Sequence, residues 1–494
     1  MLIPRPASAG PGPAQADPAA AAEEGPDPVP TGEIVEGPIE RSVEIVALQI
    51  RGRKQVTAKQ IIEALESEGL VEGEHVLWPE DERIDRAIQR LAATGYFDQV
   101  AIRLVPISRD DNRASLIVDI HERGSLVIRE LYLASSVLTP FSGGLDLMER
   151  NLAGSRVHLG GGFVVGTPPR GLPDGADDRV QQAYTLYTEL PVVAGSPVGV
   201  AGSAYAIRAN EPYRVGGEDY DPDPANFDTV PYSRYGSVVG ITVPVRPELR
   251  LGIDFRFEAV DAPDLVTRTQ TLPTGEVREL DLKLEDGLHY LSSAEFSLIW
   301  DQRSRAAIIG KGARIRVDVQ ISSPAIGSSY EYLRVLMGGG YSFRLPWGHW
   351  LTPSVWGGQV AGNAPRFEMI LPGDLADWTP GRTMGLQYST RWPVDTFKTG
   401  VNAFALASIG GRLDLEYGIP LFRRPRTAFV YGGYLSLSAG VFTLTGDRDE
   451  RRARTAAGLL AAPVGFNADF GLKLDTSIGT IDLSVGNILR RVPL

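Results

Sequence analysis

The chain has 494 residues, enough for two to four ordinary domains or for one small domain beside something large. Its 55 glycines and a mean hydropathy of −0.08 suit a turn-rich β protein better than a helical one. A formal charge of −12 argues against nucleic acid as the main partner, and the absence of cysteine excludes disulfides and thiolate metal sites.

Residues 1–41, opening "MLIPRPASAGPGPAQADPAAAAEEGPDP", are rich in Pro and Ala and lack aromatic side chains. Such a segment buries too little apolar surface to offset its ordering entropy, so it reads as a disordered tether. No apolar stretch of about 7–15 residues marks a secretory leader in it. Two readings follow: a leader trimmed or mis-started, or a chain that is not exported.

Residues 42–124 read as a small α/β module. "SVEIVALQIRGRKQV" alternates Val43, Ile45 and Ala47 with polar neighbours and turns at Gly52, as a strand does. Thr57 caps a helix whose Ile61, Ile62 and Leu65 share one stripe, and Gly69 stops it. After a loop, "DERIDRAIQRLAATGYF" repeats the pattern with Ile84, Ile88 and Leu91 inward and Gly95 as the stop. "QVAIRLVPI" and "ASLIVDIHER" then read as two strands, giving the order β-α-α-β-β. Tyr96 and Phe97 fold back as an apolar wedge between helix and sheet. This module resembles the POTRA (polypeptide-transport-associated) domain through Leu91, Gly95, Tyr96, Phe97, Val100 and Glu122, which match a helix ending L-x-x-x-G-Y-F-x-x-V and a last strand ending in Glu. The resemblance implies that a membrane barrel follows.

Residues 125–494 show no sustained helical period. In "RLGIDFRFEA" Leu251, Ile253, Phe255 and Phe257 alternate with charged or small residues, and in "RIRVDVQIS" Arg314, Arg316, Asp318 and Gln320 alternate with Ile315, Val317, Val319 and Ile321. "GRLDLEYGIPL" and "GTIDLSVG" behave alike. A soluble sandwich also alternates. Many strands with one continuous apolar face and one charged face fit a closed transmembrane barrel better, since backbone groups in lipid must all pair. At roughly 22–24 residues per strand and connection, the region holds about 16 antiparallel strands.

The barrel region in turn resembles the BamA/TamA-type outer-membrane assembly family. "ERNLAGSRVHLGGG" is similar to that family's N-L-x-G-x-G opening of the first barrel strands, with Asn151 and Gly154 in place and Ser155 at or beside the place where a Gly is usual. "SLIWDQRSRAAIIGKGARIRVDV" carries a D-x-R turn, Asp301 and Arg303, before Gly312, and "LDLEYGIPLF" resembles the E-x-x-x-P-L strand through Glu416, Pro420 and Leu421. "FGLKLDTSIGTIDLSVG" looks like the closing hairpin. The family's sixth loop presents V-R-G-F/Y, whose Arg reaches acidic groups on the lumen wall. Here the segment reads "RFEMILPGDLADWTPGRTMGLQYSTRWP", so Arg382 is the expected lock, Arg391 the fallback, and Glu416 the expected carboxylate. The strand after Asn151 and the last strand around Ile481–Val485 are expected to form the barrel seam.

The five histidines, His75, His121, His158, His289 and His349, form no ligand pair, and neither a G-x-S-x-G elbow nor a phosphate-binding G-x-x-x-x-G-K loop occurs. No enzyme, metal or cofactor is expected. The resemblance implies a bacterial outer-membrane protein with its POTRA domain in the periplasm. It would assist the insertion of barrels or the translocation of polypeptides through a laterally opening barrel. Its partners would be unfolded or exported client proteins, outer-membrane lipids and periplasmic helper proteins. The alternatives are a passive channel that retains a POTRA domain and a structural barrel binding partners through loops such as "GEDYDPDPANFDTVP".

Overall fold

The computed structural model describes residues 41–492, except 79–80, 94–95, 108–111, 123, 135–140, 169–178, 192–197, 215–226, 247, 264, 266–267, 272–276, 304–309, 371–406, 425–428, 447–451, 453–454, 457–463 and 477–478. The expected tether and Gly95 therefore lie outside the described residues.

In chain order the first unit is β1 (Arg41–Arg51), α1 (Ala58–Glu66), β2 (His75–Trp78), α2 (Glu82–Ala93), β3 (Phe97–Pro106) and β4 (Arg113–Glu122). Its sheet runs β2-β1-β4-β3, with β1 and β4 parallel and the other neighbours antiparallel. Val43 and Ile45 of β1, Ile61 and Leu65 of α1, Leu91 of α2, and Leu116 and Val118 of β4 meet in one core. Phe97 is buried in it, and half-buried Tyr96 and Val100 pack against it, Tyr96 edge-on to Phe97 at 6.5 Å. The order β-α-α-β-β is present, with the short strand β2 added between the two helices. Strand β2 is four residues long, too short for its alternation to show in the sequence. Thr57 sits at the head of α1 in an extended conformation, but its side chain makes no capping bond.

The second unit begins with β5 (Leu126–Ala134), β6 (Ser142–Glu149), β7 (His158–Gly166), β8 (Gln181–Leu190), β9 (Gly199–Arg214), β10 (Phe227–Arg246) and β11 (Leu249–Ala262). A separate hairpin, β12 (Arg268–Thr271) and β13 (Val277–Leu280), stands between β11 and β14 (Gly287–Asp301). Then come β15 (Gly312–Ser322), β16 (Glu331–Arg344), β17 (Trp350–Asn363), β18 (Ile409–Arg423), β19 (Val430–Thr445), β20 (Val464–Thr476) and β21 (Gly479–Val492). Among the described residues these make one 15-stranded antiparallel sheet in sequence order from β5 to β21, the hairpin excepted. The sheet curls until β5 and β21 approach within 8 Å between Cα atoms. With an odd number of strands, these two run in the same direction, and no ladder joins them among the described residues.

The barrel is inside out relative to a water-soluble protein. Leu251, Ile253, Phe255 and Phe257 are exposed on its outer face, whereas Arg234 and Glu258 are buried within. Register carries the outer row sideways: Val239 opposes Phe255, Phe255 opposes Ala294, Ala294 opposes Ile321, and Ile321 opposes Leu333. A continuous aliphatic and aromatic exterior over paired backbone is what a lipid-facing sheet requires.

The two units meet at the turn between β6 and β7. Gln60 Nε2 of α1 donates to the Gly154 carbonyl at 3.1 Å, and Arg156 pairs with Glu63. Ala153, Gly154 and Arg156 all have left-handed φ of 50°, 76° and 66°. At Gly154 a Cβ would stand 2.7 Å from the Gln55 carbonyl oxygen, so this close approach requires glycine. Glu122 closes the other side: its carboxylate accepts the backbone N–H groups of Lys54, Gln55 and Val56 at 2.7, 2.7 and 3.0 Å.

Asp81 opens α2 as an acid with a built-in partner. It accepts from Arg83 Nη2 at 2.8 Å and from the Leu77 and Arg83 N–H groups at 3.0 and 2.9 Å. The Arg83 guanidinium above all holds its carboxyl at about 2. A depressed carboxyl stabilises the fold above its unfolded value near 4 and loses that contribution as pH falls towards 2. Hydrogen exchange read at α2 in the full chain should therefore accelerate between about pH 4 and pH 2, and an Asp81→Asn variant should lack that step.

Candidate functional site

After β17 the chain turns into the barrel rather than away from it. Near the end of β17, still paired with Tyr332, Gly362 has φ +99°, and a Cβ there would meet the Glu331 carbonyl at 2.4 Å. The residues that follow, Ala364 to Ile370, are buried, including Arg366 at 3% and Glu368 at 4% exposure. A single 3-10 turn, Arg366–Glu368, spaces the two charges, and Ile370 is tied back through its N–H to the Ala407 carbonyl at 2.9 Å. Phe367, Met369 and Ile370 pack with Val230 and Tyr232 of β10, Val260 of β11 and Tyr332 of β16 into an apolar cluster inside the barrel. The segment is a plug.

Its charges are matched one for one with the wall. Arg366 Nε donates to Glu211 Oε2 of β9 at 2.8 Å, and Tyr232 donates to the other oxygen at 2.6 Å. Glu368 Oε1 pairs with Arg256 Nη1 of β11 at 2.8 Å. With its amide oxygen towards Arg256 Nη2 (2.6 Å) and its nitrogen towards Glu368 (3.3 Å), Gln320 braces that pair. Arg234 of β10 grips Glu258 with two N–H groups and lies 3.7 Å from the Phe367 ring centre. Three guanidinium groups thus face three carboxylates, all largely buried, with a cation stacked on an aromatic face. The Arg366 N–H also donates to the Lys283 carbonyl at 2.8 Å, so the connection from β11 to β14 holds the plug from outside the sheet. A cavity of about 340 Å³ remains beside the plug, lined by Tyr205, Arg234, Asp254, Arg256 and Glu295.

The expected site residues are distributed as follows. Arg382 and Arg391 lie outside the described residues, and the described lumen arginine of this connection is Arg366, which the sequence reading passed over. Its signal was present as Arg-Phe-Glu just beyond a strand, but two charges of like parity look the same as any lumen row. Glu416 faces inward as expected, yet its described partner is Lys473 of β20, at 2.7 Å. Arg412 and Asp414 pair beside it at 2.7 Å, and a Cβ at Gly440 would stand only 2.1 Å from Asp414 Oδ1. Arg303 closes its turn on Asp301 in a two-pronged grip of 2.9 and 2.7 Å, and Gly312 follows with φ +136°. Ile481 and Val485 lie on β21, at one end of the sheet. Asn151 and Gly154 require a correction. They form the β6–β7 turn, where Asn151 Oδ1 accepts the Arg156 N–H at 2.9 Å, and the opposite end of the sheet is β5. β5 and β6 precede the motif because residues 126–149 already alternate strongly enough to pair.

Removing one partner of a buried ion pair strands the other charge, at a cost of about 3–5 kcal/mol. Arg366→Ala should lower the denaturant midpoint of the barrel accordingly, and adding Glu211→Gln should recover part of the loss. Unfolding followed by tryptophan fluorescence in detergent checks both.

No protein-family model and no curated protein matches the chain. Among solved structures, BamA from Haemophilus ducreyi lacking POTRA domains 1–3 aligns over 91% of this chain and 82% of its own, with TM-score 0.53 and 13% identity. CdiB from Escherichia coli aligns over 94% of this chain and 90% of its own, with TM-score 0.52 and 9% identity. The chain thus has the fold of the BamA/TamA-type barrels: one module of POTRA type followed by a large antiparallel transmembrane β-barrel.

Proposed function

We propose that the protein resides in a bacterial outer membrane, with its α/β module in the periplasm, and helps polypeptides insert into or cross that membrane. The observation that carries the reading is a contrast within one barrel. An ion-paired plug is packed inside the lumen, whereas the β5 and β21 edges meet without a ladder among the described residues. A barrel plugged at its centre and unjoined at its seam is suited to work through the seam.

The mechanism needs no nucleotide and no catalytic group. An extended client first adds to an edge of the α/β sheet, β2 or β3, where main-chain hydrogen bonds supply affinity without demanding one sequence. The β5 and β21 edges then part and offer their unpaired N–H and C=O groups as a template, the feature that ordinarily makes an open sheet edge a hazard. Arg366, Glu211, Arg256 and Glu368 keep the lumen shut to ions while this happens, and they position the plug rather than touch the client. Clients are unfolded or exported proteins, with periplasmic helper proteins delivering them to the module.

Refolding the protein into vesicles and timing the folding of a small test barrel examines this directly. The wild type should accelerate folding several-fold over empty vesicles while passing little steady ion current. Arg366→Ala should raise the current. No acceleration by the wild type, together with a large steady current, would replace this reading with the passive channel.

A further inference from the structure

The sheet of the α/β module ends in β2 on one side and β3 on the other, and the two edges differ in what already occupies them. In β2 the backbone groups of His75 and Leu77 point outward. Val76 and Trp78 share the parity of Glu74, whose carbonyl accepts from the Ile45 N–H of β1 at 2.9 Å. Both outward residues are engaged by side chains. The Leu77 N–H donates to Asp81 Oδ2 at 3.0 Å, and Arg83 Nη2 donates to the His75 carbonyl at 2.6 Å. Asp81 and Arg83 also hold each other, Nε to Oδ1 at 3.0 Å and Nη2 to Oδ2 at 2.8 Å. A side-chain bridge therefore lies along the line that an added strand would take.

Edge β3 carries no such bridge. The Ile107 N–H donates to the Arg113 carbonyl at 3.0 Å, so Ala101, Arg103 and Val105 turn their backbone groups to β4 and the residues between them turn theirs outward. Val100, Ile102 and Leu104 thus present N–H and C=O on the free edge, where no described residue bonds them. Pro106, which has no N–H, falls on the same outward parity, the place where an edge strand tolerates proline. The side chains of Val100, Ile102 and Leu104 join the module's core, whereas Ala101, Arg103 and Val105 are exposed on the other face. Just before β3, Tyr96 shares a crevice with Arg150 and Asn151 of the barrel, so a strand laid on β3 has one end at the barrel rim.

We propose that the Asp81–Arg83 bridge bars β2, and that an extended polypeptide segment with an apolar residue at every second position adds to β3 instead. Main-chain hydrogen bonds to Val100, Ile102 and Leu104 supply the affinity. One set of alternate side chains on the added strand falls beside those three residues and widens their apolar floor. The other set falls beside Ala101, Arg103 and Val105, in water. Closing an edge with charged side chains is a general defence against unwanted pairing, and here it leaves one edge for use. The inference rests on the client-handling reading above and adds to it the receiving edge, the guard of the other edge and the pattern of the segment received.

The chain has no cysteine, so a single introduced thiol reports on either edge. Bimane is attached to Ala101→Cys on β3 or to His75→Cys on β2 of the full chain in vesicles. The probe is a synthetic peptide of residues 314–322, which alternates as required, with a nitroxide in place of the Asp318 side chain. Saturable quenching is expected at Ala101→Cys, with an affinity about tenfold or more above any at His75→Cys, the worth of one or two net backbone hydrogen bonds. Methylating the peptide nitrogens of Val317 and Val319, which would meet β3, should abolish it, whereas methylating those of Arg316 and Gln320 should not. This arm leaves the module unaltered. In an Asp81→Ser, Arg83→Gln background, where the serine still caps α2, quenching at His75→Cys should rise about tenfold while Ala101→Cys keeps its response. Equal quenching at both positions of the otherwise wild-type chain, quenching at neither, or no rise in the double variant overturns the proposal. The folding of the test barrel is timed on the same vesicles. Acceleration with neither edge quenched removes the edge assignment and leaves the assembly reading, and quenching at β3 without acceleration does the reverse.

Discussion

In hydrocarbon no water completes a backbone hydrogen bond, so each barrel strand must pair with neighbours on both sides and show its two faces to two different environments. Phe255 and Phe257 on one side of β11, with Arg256 and Glu258 on the other, are the direct expression of that constraint. Once charges are driven inward they enter a confined volume, and the plug buries those it touches. Desolvated charges persist only when neutralised at close range. The matching of Arg366 with Glu211, Arg256 with Glu368 and Arg234 with Glu258 is therefore a requirement of the architecture as much as a feature of any one contact.

Period-two alternation is a local property, so strands such as Leu249–Ala262 and Gly312–Ser322 were visible in one dimension, and so were the two helices of the small module with their buried Ile61, Leu65 and Leu91. Pairing partners are not local. Glu416 pairs with Lys473, 57 positions later and two strands across, and nothing in its own neighbourhood points there. Arg366 was hidden for a related reason: its partner Glu211 lies 155 residues earlier. The motif around Asn151 was legible as a motif and misleading as a position, because two strands precede it.

The arrangement of glycines follows from the same packing. Gly154 admits the carbonyl of Gln55, Gly362 admits the carbonyl of Glu331, and Gly440 leaves room for the Asp414 carboxylate. Each stands where a wall, a turn or a neighbouring charge has used the space a methyl group would need. This explains a glycine-rich composition without appeal to flexibility.

The β6–β7 turn has a mechanical consequence. It is gripped by α1 through Gln60 and Glu63, and its own backbone is fixed by left-handed residues and the Asn151 side chain, so it is a stiff handle rather than a hinge. The strands it joins are the second and third of the barrel, one place in from β5. Any tilt of the small module is delivered there as torque, on the hairpin that holds the free edge in place. The load path from a chain seated on the module to the seam is two hydrogen-bonded strands long, and it bypasses the plug.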